Sequence, residues 1–493
     1  MPCQLPADCL NEIFEYLDDK KTLHSLLFVN RLCCKISIRI LWRNFWKYRI
    51  VDIDLGRCLN ILVACLPNES KELLLKNGIF ISTPTSKPSL FNYPAFCKVL
   101  SINKICLIVN DVLEKIPITS LLSKKDRNYL IINEIIKMFI TQSYSLKELT
   151  FYNDTYVIPN EISFICFSGA IDCLADLSEL HCSSRLPSEF FYQLSKICHN
   201  IHSLSIYMKY NNYFPNEFKE LISLQNNLKN LKLSTTHRGD WTDIIPALTK
   251  HSNTLTKLHL NSTYNNRTLP VSFVALFSNL QEIKISFTST FGKIQFRDFG
   301  KLQYVTFPKL QYLSIPIECT MLVYIKNFLE NNGKNLKGLC IVGLDHDRFL
   351  NLSIAKFCPI LENFSTVFEL DTLKTIFNSC QYLERIEIFY EEHFLGEKEV
   401  LETVARHSPK YFCELTTIYN KSHTKLLPED LESFFISWKS RASKKSLILI
   451  IIRPFCIDSL ETNEENMEII RKYKNLGIIK KFETKIRECE DED

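Results

Sequence analysis

The chain has 493 residues, 46% of them hydrophobic, which is material for about three ordinary domains or one long repeat array and excludes a disordered protein. Basic and acidic residues number 59 and 55, so no global field exists to hold a polyanion, and no nucleic-acid partner is expected. Glycine is scarce at 11 residues, too few for the Gly-rich turns on which phosphate-cradling and dinucleotide-binding folds depend.

Residues 1–48 differ in texture from the rest. Leu10, Ile13, Phe14 and Leu17 recur at helical spacing, as do Leu23, Leu26, Leu27 and Asn30. Arg31 to Trp46, studded with Cys33, Cys34, Ile36, Ile38, Ile40, Leu41 and Trp42, predicts a third helix. Pro6 suits the first turn of the first helix, where its missing N–H is no loss. Asp18-Asp19-Lys20-Lys21-Thr22 breaks the apolar pattern, and Thr22 or Asp19 offers an N-cap oxygen to the second helix. A segment this short cannot build a secure core alone, so stabilisation by a partner or by packing on the next part of the chain is expected.

Residues 49–144 read as a linker with degenerate or capping repeats. Glu72-Leu-Leu-Leu75 and Val99-Leu-Ser-Ile102 with Ile105 to Val109 predict strands, and Ser82 to Ser89, holding Pro84 and Pro88, predicts an exposed loop. From 145 to 480 one pattern, LxxLxL, repeats. Ser145-Leu-Lys-Glu-Leu-Thr-Phe151, Asn227-Leu-Lys-Asn-Leu-Lys-Leu233, Lys309-Leu-Gln-Tyr-Leu-Ser-Ile315 and Tyr382-Leu-Glu-Arg-Ile-Glu-Ile388 are four of its copies. Leading apolar residues at 201, 228, 255, 280, 310, 336, 361 and 383 recur every 22 to 30 residues, the period of leucine-rich repeats.

The last positions of each copy alternate apolar and polar, which predicts a short strand with one buried and one presented face. Helix-like stretches such as Asn216 to Leu224, Thr242 to Leu248 and Met321 to Leu329 lie between. One strand and one helix cannot bury their own apolar faces, so neighbours must stack into a curved solenoid with a parallel sheet on its concave side. That face is the expected binding surface, and Lys232, Lys257, His259, Lys284 and Glu387 are its candidate substrate-binding residues. Residues 481–493 read as an acidic disordered tail.

The nineteen cysteines are spread through the chain, no two lie three positions apart, and no basic and apolar leader precedes them, so a cytosolic or nuclear location and no metal are expected. Cys198, Cys358 and Cys380 each fall three residues before the leading apolar residue of a repeat, as packing residues would. The longest aliphatic run, Leu447 to Ile452, predicts a buried strand and is far too short for a membrane helix.

The segment Leu5-Pro6, Leu10, Ile13-Phe14, Tyr16-Leu17, Leu23, Leu26, Val29-Asn30-Arg31 and Leu41-Trp42-Arg43 resembles the F-box motif in order and spacing. Followed by leucine-rich repeats, the arrangement is similar to the F-box and leucine-rich-repeat substrate receptors of Skp-cullin-F-box ubiquitin ligases. The resemblance implies a short three-helix F-box followed by an α/β solenoid. It implies a non-catalytic receptor, with no cofactor, that docks on a Skp-type adaptor and through it on a cullin-RING ligase. The repeats would then present a protein substrate for ubiquitination and proteasomal degradation. Leu5, Pro6, Leu10, Ile13, Phe14, Leu26, Val29, Leu41 and Trp42 are the implied adaptor-binding positions. Cys33 stands where the family commonly shows Trp, which loses aromatic burial.

The alternative is a leucine-rich-repeat scaffold or recognition protein that never meets a ligase. An enzyme is the weakest expectation: no GxSxG, HExxH or GxxxxGK[ST] occurs, and Phe328 stands where Gly333-Lys334 would need a partner glycine. Cys198-His199 with His202 reads as packing and surface residues rather than metal ligands, and Cys33-Cys34 as inert thiols. The basic stretch Trp438 to Lys445 reads as a solvated face.

Overall fold

The computed structural model describes residues 5–17, 19–47, 54–81, 90–115, 122–152, 167–209, 214–236, 239–263, 269–287, 298–316, 322–342, 348–390, 396–419, 426–441, 445–455, 457 and 459–487. It divides into two compact units, residues 1–234 with 243–250, and residues 235–242 with 251–493.

The first unit opens on three helices, α1 (Ala7–Glu15), α2 (Lys20–Leu26) and α3 (Arg31–Arg43). Pro6 is the N-cap of α1. The Asp19 carboxylate caps α2 by accepting from the Lys21 and Thr22 backbone N–H groups at 3.0 Å, and Asn30 caps α3 through the Cys33 N–H at 2.8 Å. Caps of this kind satisfy orphan donors and stabilise by about 1 kcal/mol each. Phe14, Leu23, Cys33 and Ile36 form a small core with Leu10, Leu17, Leu26, Leu32, Ile40 and Leu41 around it. The bundle is tied to the rest of its unit: Trp42 stacks on Tyr93 at 4.7 Å, and the Arg43 carbonyl accepts from the Lys98 N–H at 2.9 Å.

Residues 49–144 keep the strand expected from Val99 only over Val99–Ser101 and correct the other strand expectations. The chain forms α4 (Leu55–Ala64), α5 (Asn68–Lys76), β1 (Val99–Ser101), α6 (Ile102–Lys115) and α7 (Lys124–Gln142). Glu72–Leu75 is therefore helical, as is Ile105–Val109, because Ile102, Ile105, Cys106, Val109, Val112 and Leu113 form one buried stripe of period 3.6. A short apolar window cannot reveal that period. The loop expected from Ser82 to Ser89 lies outside the described residues.

The repeats then begin. β2 (Glu148–Phe151), β3 (Glu179–Ser183), β4 (Ser203–Lys209) and β5 (Asn230–Thr236) come after β1 in chain order. Their outer layer is α8 (Ala170–Leu174), α9 (Ser188–Ile197), α10 (Asn216–Ser223) and α11 (Ile245–Leu248). Register is parallel, Leu100 opposite Leu149, Leu149 opposite Leu180 and Leu180 opposite Leu204, so the inward leucines stack.

In the second unit the strands are β6 (Lys257–Ser262), β7 (Glu282–Phe287), β8 (Tyr312–Pro316), β9 (Gly338–Val342), β10 (Asn363–Thr366), β11 (Arg385–Tyr390), β12 (Glu414–Tyr419), β13 (Leu447–Pro454) and β14 (Ile479–Arg487). The helices α12 (Leu322–Asn332), α13 (Arg348–Phe357), α14 (Leu370–Ser379), α15 (Glu397–His407), α16 (Pro428–Lys439) and α17 (Glu464–Asn475) connect the later strands. Each neighbouring pair from β6 to β14 is parallel.

One device repeats. The residue after the leading apolar position gives its carbonyl to two N–H groups of the next repeat: Gln311 accepts from Lys337 and Gly338, Lys337 from Glu362 and Asn363, and Glu362 from Glu384 and Arg385, at 2.8 to 3.0 Å. The leading residues Leu310, Leu336, Leu361 and Leu383 are fully buried, and each such burial is worth about 1.5–3 kcal/mol. The fold is an α/β leucine-rich-repeat solenoid.

Cys198, Cys358 and Cys380 are fully buried, and the Cys198 and Cys380 thiols donate to the Leu174 and Cys358 carbonyls at 3.3 Å. Leu447–Ile452 lies in β13, with Leu447, Leu449 and Ile451 inward. β14 runs through 487, past the end of the repeats expected at 480, while 488–493 lie outside the described residues. No described helix is long and apolar enough to cross a membrane.

Candidate functional site

Two surfaces collect the residues singled out in the sequence. On the helical bundle, Leu5, Pro6, Ile13 and Val29 are exposed, Val29 by 62%. Tyr16 and Phe28, at 82% and 79%, extend the same kind of surface at the ends of α1 and α2. Leu10, Leu26 and Leu41 are partly buried against the core, Phe14 belongs to it, and Trp42 is buried between Phe45 and Tyr93. Of the nine expected adaptor positions, then, Phe14 and Trp42 can act only by holding the bundle in shape. Phe28 escapes the sequence pattern because it lies beyond the last helical position of α2, where periodicity no longer assigns a face.

The second surface is the open face of the sheet. Lys232 stands outward on β5 of the first unit. In the second unit Lys257, Lys284 and Glu387 are exposed and His259 half-buried, all on outward strand positions. Lys284 and Glu387 line a hollow of about 280 Å³ whose walls and floor also include Tyr312, Ser314, Gly338, Cys340, Asn363 and Ser365. Lys257 and His259 do not line it; they hold Glu282 at its margin, at 3.4 and 2.7 Å. Burial pushes the Glu282 carboxyl up, but His259 and Lys257 outweigh it and hold the group below the usual carboxylate value.

Small residues make the floor. Burial raises the Cys340 thiol pKa, partly offset by the neighbouring Ser365 and Ser314 hydroxyls, with Glu387 and Lys284 near enough to pull in opposite directions. The thiol is a poor acceptor, and Ser365 Oγ is left without a hydrogen-bond partner among the described residues. A Cβ added to Gly338 would lie 2.6 Å from Cδ1 of Tyr312, so the glycine is what lets that ring settle over the sheet. None of Tyr312, Gly338, Cys340, Asn363 or Ser365 stands out in the sequence, because outward strand residues carry no periodic signal beyond being polar or small.

The other sequence candidates resolve into structure. Cys33 is part of the bundle core. Cys198 has its thiol pushed up to about 12 by burial, and the His202 N–H joins the repeat ladder through the Ser178 carbonyl. In the basic stretch, Arg441 stacks over Trp438 at 4.1 Å and donates to the Ser408 and Pro409 carbonyls, and Lys445 donates to that of Tyr411. Those two cations secure backbone rather than forming a purely solvated face. Among the described residues there is no group of three or more His, Cys, Asp or Glu side chains placed to hold a metal ion.

No family model matches the chain, and no curated protein matches it. Among the solved structures similar to it, a chain of the Rad7 and Elc1 complex in yeast shares 14% identity at a TM-score of 0.41, over 76% of this chain and 85% of that one. The leucine-rich repeat-containing protein LegL7 from Legionella pneumophila shares 11% identity at a TM-score of 0.31, over 70% of this chain and 94% of that one.

Proposed function

We propose that the chain is the non-catalytic substrate receptor of an Skp-cullin-F-box type ubiquitin ligase, working in the cytosol or nucleus: the bundle docks on a Skp-type adaptor, and the open sheet face holds a protein destined for ubiquitination. The observation that carries this reading is the apolar surface of Leu5, Ile13, Tyr16, Phe28 and Val29 on a bundle with a four-residue buried core. Large apolar side chains left in solvent in such number on so small a bundle mark it for binding another protein. The order and spacing of the F-box-like residues in the sequence support the identity of the partner. The repeats supply a recognition scaffold, and chemistry is left to other subunits.

The test is co-purification of the full chain with a Skp-type adaptor expressed in the same cells. A stoichiometric complex is expected. The Ile13→Asp/Val29→Asp variant, altered only at exposed positions, is expected to lose the adaptor while keeping its far-UV circular dichroism, and Leu5→Ala/Pro6→Ala to weaken it. A well-folded full chain that captures no adaptor overturns the ligase reading and leaves the free-standing recognition scaffold.

A further inference from the structure

The hollow on the second unit has an electrical direction. Strand register places Lys284, Ser314, Cys340, Ser365 and Glu387 in one row across β7 to β11, with Glu282, Tyr312, Gly338, Asn363 and Arg385 in the row beside it. On the β7 side Glu282 is already neutralised by His259 and Lys257, and Lys284 has no ion pair among the described residues. On the β11 side Arg385 is matched by Glu414 at 3.8 Å, and Glu387 has no such partner among the described residues. The three strands between present no charge to the hollow. One end is therefore cationic, the other anionic, and the middle neutral.

The middle is also unsatisfied. Ser365 is 5% exposed and lines the hollow, and beside the weakly polar Cys340 thiol its Oγ makes no well-formed hydrogen bond among the described residues; the side-chain oxygen of Asn363 is buried and has no hydrogen-bond partner among them. Native structures leave few buried polar atoms unpaired, because each costs as much as a lost hydrogen bond. A ligand that brings both a donor and an acceptor to this spot removes that cost.

We infer that the hollow holds a short extended peptide segment of the bound protein, laid across the strands with a carboxylate at Lys284, a cationic side chain at Glu387 and small uncharged residues between them. This deepens the receptor reading by giving its substrate class, and rests on that reading for its biological meaning only. Four strand spacings of about 4.8 Å separate the two charged positions by roughly 19 Å. The inward reach of the two side chains leaves space for about three extended residues at ~3.3 Å each. A peptide N–H donates to the Asn363 oxygen, and the Ser365 hydroxyl donates to a peptide carbonyl. The Tyr312 ring, seated over Gly338, forms an apolar wall beside the peptide.

The experiment uses the full chain without adaptor, panned against displayed peptides on a Gly/Ser background that carry one acidic and one basic residue at every separation. Enrichment of peptides with two to four residues between the charges is expected. For an enriched peptide labelled with fluorescein, Lys284→Glu or Glu387→Lys alone should weaken binding about tenfold, and Ser365→Ala several-fold. The double variant Lys284→Glu/Glu387→Lys should bind the same peptide with its acidic and basic residues exchanged, which no unfolded variant could do. No enrichment, enrichment blind to charge spacing, or affinity unchanged in both single charge variants overturns the inference. Binding of these peptides by a chain that captures no adaptor sinks the ligase reading alone; adaptor capture with no dipolar peptide sinks this one alone.

Discussion

Glu397, the first residue of α15, is 7% exposed and accepts a hydrogen bond from the Tyr419 hydroxyl at 2.7 Å. Burial pushes its carboxyl up to about 7 even so. A carboxyl whose folded value lies above its unfolded value of about 4.3 binds more protons in the folded state. Its effect is thus absent at low pH, grows as pH rises through the window from about 4.3 to 7, and is a full penalty of roughly 4 kcal/mol above it. Glu397→Gln keeps an acceptor for Tyr419 and removes the charge, so its melting temperature should exceed the parent's at pH 8 and lose the decline between pH 5 and 7. Thermal melts across that range check this, and an unchanged slope would assign the decline to other groups. Gln225 acts in the opposite sense. Its Oε1 accepts from the Ile201 N–H at 2.9 Å and its Nε2 donates to the Cys198 carbonyl at 2.8 Å, inside the first unit. Gln225→Ala strands both backbone groups and should cost about 2–3 kcal/mol in urea unfolding; a loss below about 0.5 kcal/mol would mean that water replaces the amide.

At the scale of elements, the legible parts of the sequence are those that satisfy a period. The three N-terminal helices and the LxxLxL strands each bury one face at regular spacing, so their residues announce them. Leu177-Ser-Glu-Leu-His-Cys182 contributes β3 yet escapes the pattern, because its last inward position is a cysteine. Helices α5 and α6 read as strands in the sequence because their apolar runs are dense enough to hide the period. The open sheet face can be read from alternation, but which of its residues share a hollow depends on register, which no single repeat encodes. β14 shows what an element can conceal. It is the last strand of the described sheet, and Lys481 and Lys485 both pair with Glu483 along it. Lysines blunt an edge against pairing with another chain. Beside it β13 carries Leu-Ile-Leu-Ile-Ile-Ile from 447 to 452. A chain ending at residue 476 would present that strand as a long apolar edge, and light scattering should show it associating within hours where the full chain stays dispersed. A monodisperse truncated chain would show that α17 and the preceding loop cover the edge unaided.

At the scale of the whole molecule, the two candidate surfaces are built from different residues. The bundle surface and the sheet hollow share no residue, and each belongs to its own compact unit, one ending its bundle at Arg43 and the other beginning its hollow at Glu282. Substitutions at sites that act independently and share no partners add to within about 0.5 kcal/mol. Ile13→Asp/Val29→Asp should therefore abolish adaptor capture and leave peptide affinity within about twofold, and Lys284→Glu should do the reverse. A combined variant should lose both by the product of the separate effects. If the proposed function holds, ubiquitin transfer to a fusion carrying the selected peptide, in a reconstituted ligase, would fail in either variant for different reasons: one chain would not join the ligase, and the other would bring it no substrate. If peptide binding instead changed adaptor affinity more than about tenfold, the two units would be energetically coupled, and reciprocity would require the adaptor to change peptide affinity by the same factor.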